Sequence, residues 1–259
     1  MTEAAFGVQH HDRALALRAH SHVRAGPFVC RFSPHLPDAF ANFAIPDDDA
    51  EPTAADVQAL VHAFRERGRT PRLEFLAGCA PRAEQVLARA GFTVEHSGIV
   101  MACAPRWLTA PGPVPGLELA EPSCNADLES FALVQHHAFA EPGELGPGAV
   151  ARLARMGEEG GLVVLARYRG RIVGGGAATA CVSGAGELDG VAVTESARHR
   201  GIGSAVSACL TTLAHRRGYR LVWLEPVGPA ARRVYAGIGY RPIAEKLYIT
   251  LGQEPGISG

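Results

Sequence analysis

Residues 191–205, with the sequence VAVTESARHRGIGSA, carry the most specific chemical pattern in the chain. A predicted strand over residues 191–193 leads through a loop into a predicted helix that begins near Ile202. A helix start presents unpaired backbone N–H groups and the positive end of the helix dipole, which together can bind an anion such as a pyrophosphate. Gly201 and Gly203 let the backbone approach that anion closely, because they carry no side chain. The segment therefore predicts a phosphate-binding loop.

Basic side chains surround these glycines. Arg198 and Arg200 add positive charge, and His199 lies between them. The alternative is a glycine-rich turn with solvated arginines, which a lone Gly-x-Gly pattern would favour. Two other phosphate loops fit poorly. A P-loop requires a Lys-Ser or Lys-Thr pair, and a dinucleotide-binding fingerprint requires glycine where Val206 stands.

The spacing Arg198-x-x-Gly201-x-Gly203 between a strand and a helix resembles the acyl-CoA pyrophosphate motif of the GCN5-related N-acetyltransferases (GNATs). A later helix and the Gly239-Tyr240 turn resemble a second motif of that family, and the resemblance covers residues 117–251. The chain departs from the family at Gly228, where an asparagine is common. The resemblance implies acetyl-CoA as the cofactor, bound by Val191, Ala192, Val193, Arg198, His199, Arg200, Gly201, Ile202, Gly203 and Ser204.

The resemblance also implies two catalytic side chains. An amine must lose a proton before it attacks a thioester, and Glu187 occupies a strand position where some family members place the base. Asp189 faces the same side of the strand and is a weaker candidate, and an exposed structural carboxylate is the alternative for Glu187. Tyr235 occupies the position of the family's general acid, which protonates the leaving thiolate. Packing as a core aromatic is the alternative for Tyr235, because Val234 and Ile238 share its predicted buried face.

Further residues are expected around this site. Backbone N–H groups near Ala192 and Val193 could stabilise negative charge on the thioester oxygen. The resemblance places the connection between the first two helices beside the acceptor pocket, with Phe139, Glu141 and Glu144. The run of three glycines at residues 174–176 lies inside a predicted strand, where it indicates a bulge or close packing against substrate.

Predicted strands and helices that would position these residues alternate along the second half of the chain. A helix capped by Asn125 and a second helix at residues 149–156 precede a hairpin of residues 162–168 and 172–182. A strand at residues 187–193, a helix from Ile202 to Gly218, a strand at 221–225, a helix from Pro229 and a final strand to Thr250 follow. We expect an α/β (α+β) fold with a mixed, mostly antiparallel central sheet flanked by helices, the acyl-CoA N-acyltransferase fold, in duplicate.

An internal repeat supports the duplication. At a constant offset of 148 positions, residues 72–76 (RLEFL) align with residues 220–224 (RLVWL), and Gly91-Phe92 aligns with Gly239-Tyr240. The Pro- and Gly-rich segment at residues 110–116 then separates a degenerate acetyltransferase-like lobe, residues 1–110, from a catalytic domain, residues 111–259. An unrelated helical accessory segment is the alternative for the first half.

The first half lacks the features of a catalyst. The offset places residues 46–52, with the sequence PDDDAEP, where the second half has its Arg-Gly loop, and their four carboxylates would repel a pyrophosphate. Leu87 replaces Tyr235. The first half would then serve packing, formation of the substrate pocket, or assembly of a homodimer.

Composition excludes several other classes of protein. With 259 residues, 47% hydrophobic residues and a formal net charge of -1, the chain is an ordinary globular protein without a nucleic-acid-binding charge. The absence of an apolar run long enough for a membrane span predicts no membrane partner and a cytoplasmic location. The six cysteines and eleven histidines show no metal-ligand spacing, so we expect no metal. The prediction is an N-acetyltransferase that acts on a small-molecule or peptide amine by direct attack. The alternative is an acyl-CoA-binding sensor without turnover.

Overall fold

The computed structural model describes residues 2–19, 21–33, 41–139 and 143–252. They form two compact units: residues up to Val100 and from Ile243 onward make unit 1, and Met101–Pro242 make unit 2. The elements that begin in unit 1 are α1 (Glu3–Arg18), β1 (His22–Ala25), β2 (Phe28–Arg31), β3 (Phe43–Pro46), α2 (Ala54–Arg65), β4 (Arg72–Leu76), α3 (Pro81–Arg89) and β5 (Phe92–Cys103). Those that begin in unit 2 are β6 (Leu117–Ala120), α4 (Asn125–Ala138), α5 (Pro147–Glu158), β7 (Leu162–Tyr168), β8 (Arg171–Ala178), β9 (Ala185–Val193), α6 (Ile202–Arg216), β10 (Leu221–Leu224), α7 (Gly228–Gly237) and β11 (Arg241–Leu251).

In unit 1 the strand order is β1, β2, β3, β4, β11. Neighbouring strands are antiparallel except β3 and β4, which run parallel. One face of this sheet packs on Leu60 and Phe64 of α2 and on Leu87 of α3. The other face packs on α1, where Ala16 contacts a small cluster that includes Ile45. The sheet of unit 1 therefore lies between two layers of helices.

Unit 1 also buries the chain's only lysine, Lys246. Its Nζ lies 3.1 Å from Asp12 Oδ2 and 3.8 Å from Glu74 Oε2, and the Lys246 side chain is 8% exposed. Burial acts to raise the pKa of Asp12, but Lys246 and His11 outweigh burial and leave that pKa lowered. The Lys246 ammonium is thus paired with carboxylates inside the unit rather than presented to solvent.

In unit 2 the strand order is β6, β7, β8, β9, β10 and the end of β5. All neighbours are antiparallel except β9 and β10, which run parallel. Val206 and Leu210 of α6 pack on one face of the sheet, and Phe131 of α4 and Leu153 of α5 pack on the other. The predicted mixed, mostly antiparallel sheet flanked by helices is confirmed.

Most predicted elements of unit 2 appear within a few residues of their expected bounds, but one predicted cap is wrong. Cys124, not Asn125, occupies the N-cap position of α4. Asn125 lies inside the helix and donates to Glu129 Oε1 at 2.8 Å. No side chain caps α4, but the Asp127 carboxylate joins its first turn to the preceding chain by accepting from the N–H and the hydroxyl of Ser123 at 2.9 and 2.8 Å.

The packing units and the predicted domains have different bounds. Strand β11 pairs with β4, so the last strand of the chain belongs to unit 1 rather than to the second half. The segment at residues 110–116 lies within unit 2, where Pro113 and Val114 line a groove together with Ala205 and Cys209 of α6. The division into a degenerate lobe and a catalytic domain at residues 110 and 111 stays a prediction about function.

The elements of the two units correspond in order. Helix α2 begins at residue 54 and α6 at residue 202, the separation of 148 positions found in the sequence repeat. Each helix follows a strand, β3 or β9, whose neighbour on one side is parallel. The descent of unit 1 from a degenerate acetyltransferase copy stays a prediction.

Candidate active site

Strands β9 and β10 pair over only three residues. Ala185 lies opposite Leu221, and the ladder ends where Glu187 lies opposite Trp223. Strand β10 stops at Leu224, whereas β9 continues to Val193. Within unit 2, residues 188–193 of β9 therefore have no register partner in β10, and the two parallel strands enclose a gap beyond Glu187.

A bulge distorts β9 beside this gap. Ala177 of β8 lies opposite Asp189, but Gly175 lies opposite Ala192, so β9 contains one residue more than β8 over this stretch. Gly190, with φ of 63°, begins the extra stretch. Strand β8 has a bulge of its own beside the run of three glycines, because Ala166 of β7 lies opposite Gly174 whereas Arg167 lies opposite Ile172. The bulge predicted for the glycine-containing strand is thereby confirmed.

The glycines at residues 174–176 allow close packing on both faces of β8. A Cβ on Gly175 would lie 2.8 Å from the ring of Phe131, and a Cβ on Gly176 would lie 2.9 Å from Leu210. These are contacts with helices α4 and α6, so the close packing concerns the protein's own helices rather than substrate.

The backbone N–H groups of β9 face alternate edges of the strand, and this shows which of them point to the gap. Thr194 donates to Val173 O at 2.7 Å, which places the Thr194 N–H on the β8 edge. Successive N–H groups of a strand point to opposite edges, so Ala192 also faces β8 and Val193 faces the gap. Of the two expected backbone donors, Val193 is thus directed to the gap, whereas the Ala192 N–H belongs to the ladder with β8.

Helix α6 begins without a side-chain cap. Its N-cap is Gly201, in the left-handed conformation with φ of 81°, and Ala205 is the first residue to donate back, to Gly201 O at 3.0 Å. The N–H groups of Ile202, Gly203 and Ser204 therefore point out of the helix end with no intrahelical acceptor. A Cβ on Gly203 would meet nothing closer than Val193 Cγ2 at 4.0 Å, so space remains in front of these donors.

The basic side chains of the loop lie around this helix start. Arg198 donates through Nε to Val193 O at 3.2 Å, which keeps its guanidinium beside the end of β9. Arg200 lies 5.8 Å from the ring of Tyr168. His199 is exposed and takes a φ of 61°, so the loop turns twice through the left-handed region before α6 begins.

Tyr235 lies half-buried on α7, among residues that pack with α6. Its ring centroid is 5.7 Å from that of Tyr240. Burial raises the pKa of Tyr235 to about 12. The nearby Ser207 hydroxyl, which does not reach hydrogen-bond geometry, acts to lower this pKa, and the Asp189 carboxylate has a smaller effect that raises it. The predicted buried face of this helix is partly wrong, because Val234 is 38% exposed and only Ile238 is fully buried.

Glu187 and Asp189 lie on the opposite face of β9, the face that packs on α4 and α5. Leu188, between them, packs with the α6 side. Glu187 is half-buried at the last residue pair before the gap, and its N–H donates to Thr179 Oγ1 at 2.8 Å. Asp189 accepts from Arg152 Nη1 at 3.2 Å. The gap thus has a carboxylate on one face of the sheet and the Tyr235 phenol on the other.

Sequence comparison identifies the fold that holds this site. Residues 130–240 match the Acetyltransferase (GNAT) family. They are a GNAT domain. The predicted acyl-CoA N-acyltransferase fold is thereby confirmed, and the match supports acyl transfer from an acyl-CoA by this domain.

Solved structures extend the similarity beyond the GNAT domain. A GCN5-related N-acetyltransferase from Kribbella flavida is 26% identical, with a TM-score of 0.79 over 99% of this chain and 97% of the other. One from Sphaerobacter thermophilus is 18% identical, with a TM-score of 0.67 over 89% and 78%. A tandem GNAT protein from the clavulanic acid biosynthesis pathway is 16% identical, with a TM-score of 0.62 over 88% and 80%. None of the curated proteins matches the chain.

Two residues of the GNAT domain were missed by sequence reasoning. Gln135 of α4 donates to Gly190 O at 2.7 Å and accepts from Arg152 of α5 at 3.2 Å. A glutamine four residues after the buried Phe131 lies on the core face of a helix, and that position could have marked it. Arg152 offered no such signal, because arginine on an amphipathic helix is ordinary.

The expected acceptor side of the GNAT domain is described in part. Phe139 is 50% exposed at the end of α4, and Glu144 is exposed before α5. Glu141 lies outside the described residues. The described residues contain no cluster of His, Cys, Asp and Glu that could hold a metal ion. None of the described helices is long and apolar enough to cross a membrane.

Proposed function

We propose that the protein is an N-acetyltransferase that transfers an acetyl group from acetyl-CoA to an amine by direct attack, at one active site in unit 2. The observation that carries the proposal is the uncapped start of α6 beside the gap between β9 and β10. This site would belong to the catalytic domain predicted over residues 111–259. Residues 1–110 would be an acetyltransferase-like lobe without a cofactor site.

The start of α6 fits the pyrophosphate of acetyl-CoA. The N–H groups of Ile202, Gly203 and Ser204 would donate to the phosphate oxygens, and the helix dipole favours negative charge there. Gly203 leaves the approach open, since no atom lies within 4 Å of a Cβ there other than Val193 Cγ2. Arg198 and Arg200 would add charge at the rim.

When acetyl-CoA is bound, it supplies an activated thioester, and the exposed edge of β9 would hold it. A backbone N–H donates to the carbonyl oxygen more strongly as negative charge develops, provided that it is already oriented. Val193 faces the gap by alternation, and Val191 belongs to the bulge. We assign this role to the backbone of Val191 and Val193 rather than to Ala192.

Glu187 is the better candidate for the base. It lies at the mouth of the gap, opposite Trp223 at the last pair of the parallel ladder. Asp189 lies two residues beyond the last pair of that ladder, and its carboxylate accepts from the guanidinium of Arg152 at 3.2 Å. An ammonium that reaches the gap from the α4 side would lose its proton to Glu187, directly or through water.

Tyr235 is the candidate for the acid. A phenol is protonated near neutral pH even at its ordinary pKa of about 10, and burial raises the pKa of Tyr235 to about 12, so the hydroxyl can donate to a leaving thiolate. Its position on the α6 face of the sheet, opposite the carboxylates, would separate the group that gives a proton from the group that takes one.

The proposal is tested by incubating the protein with acetyl-CoA and a panel of small amines, amino acids and peptides, and measuring free CoA and acetylated product. We expect equal amounts of both for at least one amine. Tyr235→Phe serves as the matched variant, which should bind acetyl-CoA but turn over slowly. CoA binding without acetylation of any amine would refute the enzymatic function.

A further inference from the structure

The bulge in β9 is tied to helix α4 by one buried side chain. Gln135 is 5% exposed, and its Nε2 donates to Gly190 O at 2.7 Å across 55 residues of sequence. Its Oε1 accepts from Arg152 Nη2 at 3.2 Å. The two partners fix the orientation of the amide, because a carbonyl can only accept and a guanidinium can only donate.

Gly190 and Gln135 are spatially matched. A Cβ on Gly190 would lie 2.3 Å from Gln135 Nε2, so the amide occupies the place that a side chain would take. The φ of 63° at Gly190 also disfavours other residues. Gly190 and Val191 have no register partner in β8, so the hydrogen bond from Gln135 replaces the ladder in fixing the bulge.

The Gly190 carbonyl and the Val191 N–H belong to one peptide group. That group is planar and trans, so its C=O and N–H point in opposite directions. Gln135 holds the carbonyl toward α4, and the Val191 N–H is therefore directed away from α4. A donor fixed in this way does not have to reorient when negative charge develops on an oxygen.

We propose that Gln135 is a positioning residue for acyl transfer: it sets the Gly190–Val191 peptide so that the Val191 N–H faces the acyl carbonyl oxygen. The inference rests on the proposed acetyltransferase function. Gln135 touches neither substrate, and it acts only through the orientation of the bulge.

Gln135→Glu is the sharpest variant. It keeps the size of the side chain and an acceptor for Arg152, but it places an oxygen instead of an N–H group against Gly190 O. Gln135→Met removes both hydrogen bonds while it keeps the length, and it covers the case in which the buried carboxylate impairs folding. Arg152→Met is the control, because it removes the outer partner and leaves the Gln135 to Gly190 bond in place.

We expect kcat to fall by roughly 10- to 100-fold in both Gln135 variants, part of what one oxyanion donor contributes. Their affinity for CoA should stay within about twofold of wild type, because the α6 start is unchanged. Arg152→Met should change kcat by less than about fivefold, the scale of an exposed ion pair. Melting temperatures of all three variants report folding.

Infrared difference spectra of bound acetyl-CoA, ¹³C-labelled at the acetyl carbonyl, give a readout independent of turnover. The wild-type carbonyl band should shift to lower frequency on binding, and this shift should shrink in both Gln135 variants but not in Arg152→Met. An unchanged kcat and band in the Gln135 variants would overturn the inference. An equal loss of kcat and CoA affinity would do so too, since it indicates a general structural role. A wild-type protein that acetylates no amine would instead remove the function on which the inference rests.

Discussion

The starts of α6 and α2 occupy the same place in their units, but they differ in capping. The first-turn N–H groups of α6 have no side-chain acceptor, whereas side chains cap those of α2. At α6 the N-cap is Gly201, and no side chain accepts from the first turn. At α2 the N-cap is Thr53, whose hydroxyl accepts from Asp56 N, while the Asp56 carboxylate accepts from Thr53 N at 2.8 Å. This reciprocal capping box satisfies donors that a phosphate would otherwise use.

In the acidic loop before α2, two carboxylates that were expected to repel a pyrophosphate are paired with arginines. The Asp47 carboxylate lies 2.6 Å from Arg24, and that of Asp48 lies 2.9 Å from Arg13. Arg13 and His10 hold the pKa of Asp48 below its usual range, although burial acts to raise it. These pairs reduce the expected repulsion of a pyrophosphate. The start of α2 therefore differs from that of α6 in two ways: side chains occupy its first-turn N–H groups, and carboxylates remain in the loop before it.

The strongest test of this difference places the same substitution at both helix starts. Gly203→Asp should weaken CoA binding by roughly 10²-fold or more, because a carboxylate within a few ångströms of a phosphate costs several kcal/mol near a protein surface. Ala55→Asp, the corresponding position of α2, should leave CoA binding unchanged. Isothermal titration calorimetry measures the CoA affinity of both variants. Equal affinities would show that CoA does not bind at the start of α6.

The next largest effect separates two neighbouring tyrosines. Tyr235→Phe should lower kcat roughly 10²-fold with little change in acetyl-CoA affinity, because it removes only the proposed proton donor. Tyr240→Phe loses a buried hydrogen bond to Thr211 of 2.6 Å and should instead lower the free energy of unfolding by about 1 kcal/mol. Steady-state kinetics and urea unfolding distinguish them. If Tyr235→Phe keeps the wild-type kcat when the chemical step limits turnover, Tyr235 only packs in the core and does not donate the proton.

Removal of the capping box tests whether the cap alone prevents the start of α2 from binding CoA. The double variant Thr53→Ala, Asp56→Ala should lower the free energy of unfolding by about 1 to 2 kcal/mol, the usual cost of losing an N-cap. Calorimetric titration should still give one CoA per chain, since the carboxylates of the loop remain. A second site would show that unit 1 keeps a phosphate-binding helix start beneath its cap.

The smallest expected effect concerns pH. A general acid works only while protonated, and a pKa of about 12 for Tyr235 means that this contribution is lost only as pH rises through about 12. The ratio of kcat between wild type and Tyr235→Phe should therefore stay constant from about pH 7 to about pH 10, the ordinary range below tyrosine ionisation. A ratio that shrinks above about pH 9 would contradict the raised pKa.

Local patterns predicted much of unit 2. The hairpin of β7 and β8 and the helix start at Ile202 follow from turn residues and apolar spacing, which are properties of neighbouring residues. The glycine run at residues 174–176 correctly indicated the bulge in β8, because glycine inside a strand often marks such a bulge.

The remainder depends on contacts between residues far apart in the sequence. The pairing of β11 with β4 brings residues 72–76 opposite residues 246–250, and no local signal encodes it. The bond from Gln135 to Gly190 spans 55 residues. Asn125 is not the cap because α4 begins one residue earlier than predicted, with Cys124 at the N-cap, and the Asn125 amide donates to Glu129 instead. These features depend on three-dimensional contacts, which local sequence patterns do not specify.

The buried pairing of Lys246 gives the protein an unusual chemical property. An enzyme that acylates amines could modify its own lysines, and acyl thioesters also react slowly with exposed lysines without a catalyst. Here the single lysine is engaged by Asp12 and largely hidden from solvent. No lysine side chain of the protein therefore competes with the acceptor, and acetyl-lysine would be absent from its peptides after long incubation with acetyl-CoA. The protein is inert, at its side-chain amine, toward the reagent that it is proposed to use.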